Sequence, residues 1–292
     1  MIKSTELSII IPAFNEARTI ALLLRQFHST FPHAHYVLID NASTDQTGEI
    51  AEKTLKDLDA NGVVLIEPRK GKGFAIRRAF DYVQAPFVAM VDADCTYSEK
   101  DLAALLVPVL NDEADMVVGN RFGRGAYQHI NARRFHQFGN RLVKGVINGL
   151  FKSSLDDMMS GYRVLSKRFI KNFPSLATGF EIEVELTLHA LDKQFRVKEI
   201  PITYQDRPDG SHSKLRTYHD GFRVIWFIFN VLKDYRPLMF FSFLAALIFC
   251  LGCIWGIPVV LEFIQSRFIT KIPSAILASG LMIIAILFLA SG

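Results

Sequence analysis

Residues 87–94 read Phe87-Val88-Ala89-Met90-Val91-Asp92-Ala93-Asp94, an uninterrupted apolar run that ends in two carboxylates one residue apart. Such a run suits a strand buried on both faces of a parallel sheet. Four further runs share its character: Leu7 to Ile11, ended by Pro12, then Tyr36 to Ile39, Val63 to Ile66 and the shorter Met116 to Val118, with helix-like stretches between them. Strands alternating with helices predict an α/β fold, a doubly wound, mostly parallel sheet whose ligand lies at the carboxyl ends of the strands. Three polar clusters follow the strands directly, Asn15-Glu16, Asp40-Asn41 and Asp92-Ala93-Asp94, and all converge on one rim. The turn after the first strand contains no glycine, which argues against a dinucleotide-binding dehydrogenase.

Half of the 292 residues are apolar, and they are unevenly spread. Beyond Leu238 only Glu262, Arg267 and Lys271 interrupt an apolar tail, and Leu238 to Leu261 and Ile272 to Gly292 each approach or exceed the ~20 residues needed to cross a bilayer. Two transmembrane helices are expected, with Pro258 kinking the first. Met1 to Glu6 is polar and carries no leader-like apolar core, so the large domain is expected in the cytosol, where the Asn41-Ala42-Ser43 sequon is silent. Arg216, Arg223, Lys233 and Arg236 before the first span outnumber Arg267 and Lys271 in the loop, which places the large domain on the cytoplasmic face of an integral membrane protein. Three cysteines make no disulfide framework, and Cys250 and Cys253 are read as small apolar residues. A net charge of +4 implies no nucleic-acid partner, while basic residues beside the spans favour contact with the lipid bilayer.

The expected organisation is a domain over 1–213, an amphipathic juxtamembrane helix over 214–236 and the two spans over 237–292. Arg133 to Phe151, within a membrane-surface helix at about 131–151, and Leu215 to Lys233 combine apolar faces with Arg, Lys and His. Either could instead pack on the sheet as an ordinary amphipathic helix. Asp92 and Asp94 can bridge Mg²⁺ or Mn²⁺ to a diphosphate, although the triplet alone could also be a turn before the helix opening at Ser98-Glu99. Arg69, Lys70 and Lys72 flank Gly71 and Gly73 at a helix start, either as a phosphate cradle or as a solvated basic turn. Arg121, with Arg133 and Arg134, is a second candidate phosphate ligand. Tyr204 to Leu215, carrying Arg207, His212 and Lys214, reads as a lid over an anionic substrate.

The segments SIIIPAFNEARTI (8–20), IDNASTDQT (39–47), RKGKG (69–73), VDADCTYSEKDL (91–102), GNRF (119–122), DDMMSGYRVLSKR (156–168), TGFEIEVEL (178–186) and PITYQDRPDGSHSKL (201–215) together resemble the family-2 glycosyltransferases of the GT-A fold. Within these the likeness is to the polyprenyl phosphate group, which includes dolichol phosphate mannose synthases and bacterial undecaprenyl phosphate glucosyltransferases. The resemblance implies a nucleotide diphosphate sugar held by Pro12, Asn15, Glu16 and Asp40, with Asp92, Ala93 and Asp94 serving the metal and the diphosphate. It adds Lys72, Arg207 and Lys214 to the diphosphate site, and Arg121 and Arg133 to a lipid phosphate. Asp157 matches the family's catalytic aspartate, with Asp156 beside it as the alternative. Glu181, Glu183 and Glu185 are read as structural or supporting acids. The implied reaction is inverting transfer of glucose or N-acetylglucosamine from UDP to undecaprenyl phosphate, one sugar per cycle. The alternatives are a GDP-mannose-dependent polyprenyl phosphate mannose synthase and a transferase using another lipid or glycan acceptor. Oligomeric state is left open, a homo-oligomer included.

Overall fold

A computed structural model of the chain describes residues 6–123, 134–174, 177–179, 181–205, 226 and 229–292. The chain divides into two compact units, Met1–Leu215 and Arg216–Gly292. The first is built on one seven-stranded sheet in the order β3-β2-β1-β4-β6-β5-β7. β1 (Leu7–Ala13), β2 (His35–Asp40), β3 (Gly62–Ile66), β4 (Phe87–Met90) and β5 (Met116–Asn120) are the five apolar runs of the sequence. β1 pairs in parallel with β2 and with β4, placing Ile10 beside Val37 on one side and Met90 on the other.

Alternation along these strands supplies two cores. Ile9, Ile11 and Leu38 face α1 (Ile20–Thr30), α2 (Thr47–Asp57) and α4 (Glu99–Leu110), while Ile10, Val37 and Ile39 face α3 (Lys72–Tyr82). With helices on both faces the sheet is doubly wound, as expected. Ser98 caps α4 by accepting from the Lys100 amide at 3.3 Å.

Two strands escaped the sequence reading. β6 (Arg163–Ser166) inserts antiparallel between β4 and β5, and β7 (Val197–Pro201) adds parallel to β5 at the edge. β6 opens on a charged residue and is four residues long; β7 carries the adjacent charges Lys198 and Glu199 and has no buried residue. Antiparallel β6 matters for the site, since its N-terminal end meets the carboxyl ends of β4 and β5: Arg163 lies opposite Met90 and Val118. α5 (Arg134–Phe151), α6 (Lys167–Asn172) and α7 (Ile182–Asp192) complete this unit.

His189 on α7 is buried among Phe169, Phe173 and Phe195, and burial lowers its pKa. The folded state therefore holds it neutral, whereas the unfolded chain binds a proton below about pH 6.5. Stability of this unit should fall as pH drops through that value. His189→Leu should flatten the dependence, which thermal unfolding midpoints between pH 5 and 8 will show.

The second unit contains α8 (Pro237–Ser266) and α9 (Ile272–Ser291), both long and apolar enough to cross a membrane. α8 continues through Pro258. Their surfaces are apolar all round, with Phe243, Ile254 and Ile276 exposed, which a helix in water does not tolerate.

Candidate active site

β4 lies on the opposite side of β1 from β2, so the chain reverses its winding between β1 and β4. A crevice outside the carboxyl ends of such strands is where open α/β sheets bind ligands. The loops after β1 and β2 are joined there. Asn15, at φ 53°, donates its amide to Ser43 Oγ at 3.0 Å, and its Oδ1 accepts the Thr44 amide at 2.7 Å. The Glu16 amide donates to Thr47 Oγ1 at 2.8 Å, and Asp40 Oδ1 accepts the Ser43 amide at 3.1 Å. Pro12, half-buried, closes β1 beside them.

Asn41 ties this rim to the basic loop. Its Nδ2 donates to the Arg69 carbonyl at 2.7 Å, and its Oδ1 accepts the Gly71 amide at 2.8 Å. The three cations of this loop then diverge. Arg69 forks onto Glu67 at 2.8 and 2.9 Å, Lys70 lies 4.3 Å above the Phe14 ring, and Lys72 turns inward. Gly71 (φ 145°) and Gly73 have a different use from the phosphate cradle expected of them. A Cβ on either would sit 2.1 Å from the carbonyl oxygen of Thr178 or Ala177, so both glycines admit the backbone leading to α7.

That approach delivers Glu183, on the first turn of α7, to Lys72. The Lys72 ammonium bridges Asp92 Oδ1 and Glu183 Oε1. Burial alone would lower the Lys72 pKa, but the Asp92 and Glu183 charges outweigh it and the net shift is upward. Glu183 is shifted upward by burial, against the pull of Lys72. Nothing in the sequence marked this acid above Glu181 and Glu185.

Asp94 is buried, and its Oδ1 accepts from Thr96 Oγ1 at 2.6 Å and the Thr96 amide at 3.2 Å; Ala93 is buried beside it. No group of three metal-ligating side chains exists among the described residues. The Asp92/Asp94 pair nonetheless fits Mg²⁺ or Mn²⁺, which take one or two protein carboxylates and complete their shell with water and substrate phosphate oxygens. The Asp92 carboxylate packs over Gly161, where a Cβ would lie 2.4 Å from Oδ2. Gly161→Ala should therefore displace Asp92 and lower turnover about 10²-fold with little change in thermal midpoint.

Asp157 is deeply buried beneath the same rim. Its carboxylate receives Arg121 Nε and Nη2, both at 2.8 Å, and the Arg121 amide at 3.0 Å. Asp156 is exposed and contacts Lys144. Both backbone amides donate to Glu199 on β7. Fully buried Arg163 braces the segment through the Ser160 carbonyl at 2.9 Å, the Met158 carbonyl at 2.6 Å and Thr187 Oγ1 at 3.0 Å. Tyr97, three residues past Asp94, stacks on Tyr162, accepts the Gly161 amide at 3.1 Å and bridges to Tyr204. Sequence reasoning gave no role to Tyr97, Arg163 and Glu199, whose partners lie in the 156–162 loop, at Tyr204 and on α7. Arg133, Arg207 and Lys214, with most of the expected lid and juxtamembrane helix, lie outside the described residues.

The model of the family described as glycosyl transferase family 2 matches residues 8–173. Glycosyltransferase AglJ of Haloferax volcanii is 32% identical over 80% of this chain and 74% of its own length. Polyprenol monophosphomannose synthase of Mycolicibacterium smegmatis is 26% identical over 69% of this chain and 78% of its own. Among solved structures, glucosyl-3-phosphoglycerate synthase from Mycobacterium tuberculosis, bound to Mn²⁺, UDP-glucose and glycerol 3-phosphate, superposes with a TM-score of 0.61 at 18% identity, covering 79% of this chain and 80% of that one.

These findings correct the expected transfer of glucose or N-acetylglucosamine from UDP to undecaprenyl phosphate. Structures of glucosyl-3-phosphoglycerate synthase, which shares the fold, are seen with glycerol 3-phosphate or phosphoglyceric acid instead. The relative named for a polyprenol acceptor is a mannose synthase. The physical reason is that the quoted motifs gather at the carboxyl ends of the strands, and only Arg121 and Arg133 were read as acceptor ligands. Arg121, one of the two cations expected on a lipid phosphate, has Nε and Nη2 on Asp157.

Proposed function

Since the chain belongs to glycosyl transferase family 2, we propose that it is a metal-dependent hexosyltransferase that moves a sugar from a nucleoside diphosphate onto a lipid or glycan acceptor other than undecaprenyl phosphate. The observation that carries this reading is the convergence of Asp92, Asp94 and Lys72 at the switch point of the sheet, in a family that transfers sugars. Relatives named as a glycosyltransferase and as a low-salt glycan biosynthesis hexosyltransferase of Haloferax volcanii support the glycan arm, although the chain spans only 52% of the second.

Pro12, Asn15, Glu16 and Asp40 hold the nucleoside at the β1 and β2 edge of the crevice. Asp92 and Asp94 would hold Mg²⁺ or Mn²⁺, the latter seen with UDP-glucose in proteins of this fold. Bound there, the cation offsets charge on the departing diphosphate. Lys72, with Arg207 and Lys214, adds fixed positive charge to the same group, which stabilises the transition state without reorganisation. The acceptor hydroxyl oxygen attacks the anomeric carbon as the bond from that carbon to the diphosphate breaks, and the hydroxyl proton passes to the released diphosphate. Asp157 acts through Arg121, fixing the guanidinium beside Tyr204 on the acceptor side.

Residues 1–213 form the catalytic region, 214–236 a juxtamembrane segment and 237–292 two spans. Basic Lys233 and Arg236 precede α8, which favours a cytoplasmic catalytic unit. A second reading, mannose transfer from GDP-mannose to a polyprenyl phosphate, is favoured by the likeness to polyprenol monophosphomannose synthase.

The test uses the full chain in detergent with Mn²⁺ and labelled UDP-glucose, UDP-N-acetylglucosamine or GDP-mannose. Each donor is offered a membrane lipid extract, short oligosaccharides or a polyprenyl phosphate. Label passing from one donor to lipid or oligosaccharide supports the main reading, and label passing only from GDP-mannose to the polyprenyl phosphate supports the second. No labelled product from folded protein overturns both.

A further inference from the structure

Lys72 sits between two carboxylates of unequal exposure. The Asp92 side chain is 24% exposed and that of Glu183 6%, so Asp92 is open to the rim and Glu183 lies beneath it. Glu183 Oε2 is shielded from solvent and has no hydrogen-bond partner among the described residues. A buried carboxylate oxygen without a partner is costly, and native proteins retain few of them. Its neighbours suggest why this one persists.

The ammonium of Lys72 already holds Asp92 Oδ1. A divalent cation arriving at Asp92 and Asp94 must compete with it for that carboxylate, and the lysine, once displaced, would be a buried charge lacking one of its two partners. We propose that Glu183 is a positioning residue: its second oxygen receives the Lys72 ammonium when Asp92 turns to the metal. Glu183 thereby keeps Lys72 beside the donor diphosphate and frees Asp92. This inference rests on the sugar-transfer reading above. Two features fit it. Glu183 sits buried on the first turn of α7, and that turn is brought to Lys72 only because Gly71 and Gly73 admit the Ala177 and Thr178 carbonyls.

The test is Mn²⁺ affinity of the full chain in detergent, read from the electron paramagnetic resonance of free Mn²⁺ at a fixed concentration of UDP and, separately, of GDP. Glu183→Gln keeps the shape and removes the charge, leaving Asp92 as the sole counter-charge of Lys72. Its apparent Kd for Mn²⁺ should rise about tenfold or more, the usual effect of losing an outer-shell partner. Adding Lys72→Met to Glu183→Gln removes the competing ammonium, and Mn²⁺ affinity should return to near the wild-type value while sugar transfer stays low. Thermal midpoints of both variants establish that they are folded.

Unchanged Mn²⁺ affinity in Glu183→Gln overturns the proposal. So does a double variant that binds Mn²⁺ as weakly as the single one, because a merely structural defect would not be repaired by removing Lys72. Wild-type protein that fails to bind Mn²⁺ in the presence of either UDP or GDP is a separate result, which overturns the metal-dependent reading and this inference with it.

Discussion

Asp94→Ala should lower sugar transfer about 10³-fold or more, the rate equivalent of about 4 kcal/mol, because it removes one of the two carboxylates proposed to hold the cation against the leaving diphosphate. The substitution also deprives the Thr96 hydroxyl and amide of their acceptor, at 2.6 and 3.2 Å. That loss should cost about 1–2 kcal/mol of stability. Asp94→Asn separates the two effects, since an amide oxygen still serves Thr96 while the negative charge is gone. Activity should therefore fall in both variants, and the thermal midpoint mainly in the alanine variant. Transfer at the wild-type rate by either one would remove Asp94 from the metal site.

The second large effect concerns stability. Asp157→Ala should destabilise the first unit by about 3–5 kcal/mol, because it leaves the Arg121 guanidinium nearly buried without the carboxylate that receives Nε and Nη2. Combining it with Arg121→Met should recover part of the loss, as removing both members of a buried pair costs less than removing one. Denaturant unfolding of the four proteins gives the coupling energy directly. Additive losses would mean that the pair does not act as a unit.

The legibility of this chain follows from what each residue touches. β1 to β5 were readable because strands covered on both faces become continuous apolar runs, and the carboxyl-end clusters followed from their direction. β6 was hidden because its first residue is Arg163, a charged side chain whose burial is made tolerable by two carbonyls and Thr187, none adjacent in sequence. β7 was hidden because this edge strand holds two adjacent charges, Lys198 and Glu199, and no continuous apolar run. Lys72 and Asp92 were both named as candidate site residues, but their common partner Glu183 lies 111 residues beyond Lys72. Only the close approach of two glycines to a distant backbone brings it there. Arg121 and Asp157 were likewise named separately, one for a phosphate and one for catalysis, and nothing in their spacing announced that they pair. The acceptor was misjudged for a related reason. Only Arg121 and Arg133 were read as acceptor ligands, and the Arg121 guanidinium is committed to Asp157.

The most direct test of the account is the release of nucleoside diphosphate from UDP-glucose, UDP-N-acetylglucosamine and GDP-mannose by the detergent-purified chain and its Asp92→Asn variant. Each is assayed with Mn²⁺ or with a chelator, in the presence of the lipid extract and oligosaccharides. The account predicts acceptor-stimulated release from one donor, abolished by the chelator and nearly lost in Asp92→Asn. Release that is indifferent to both the chelator and Asp92, or absent with every donor from folded protein, would contradict it.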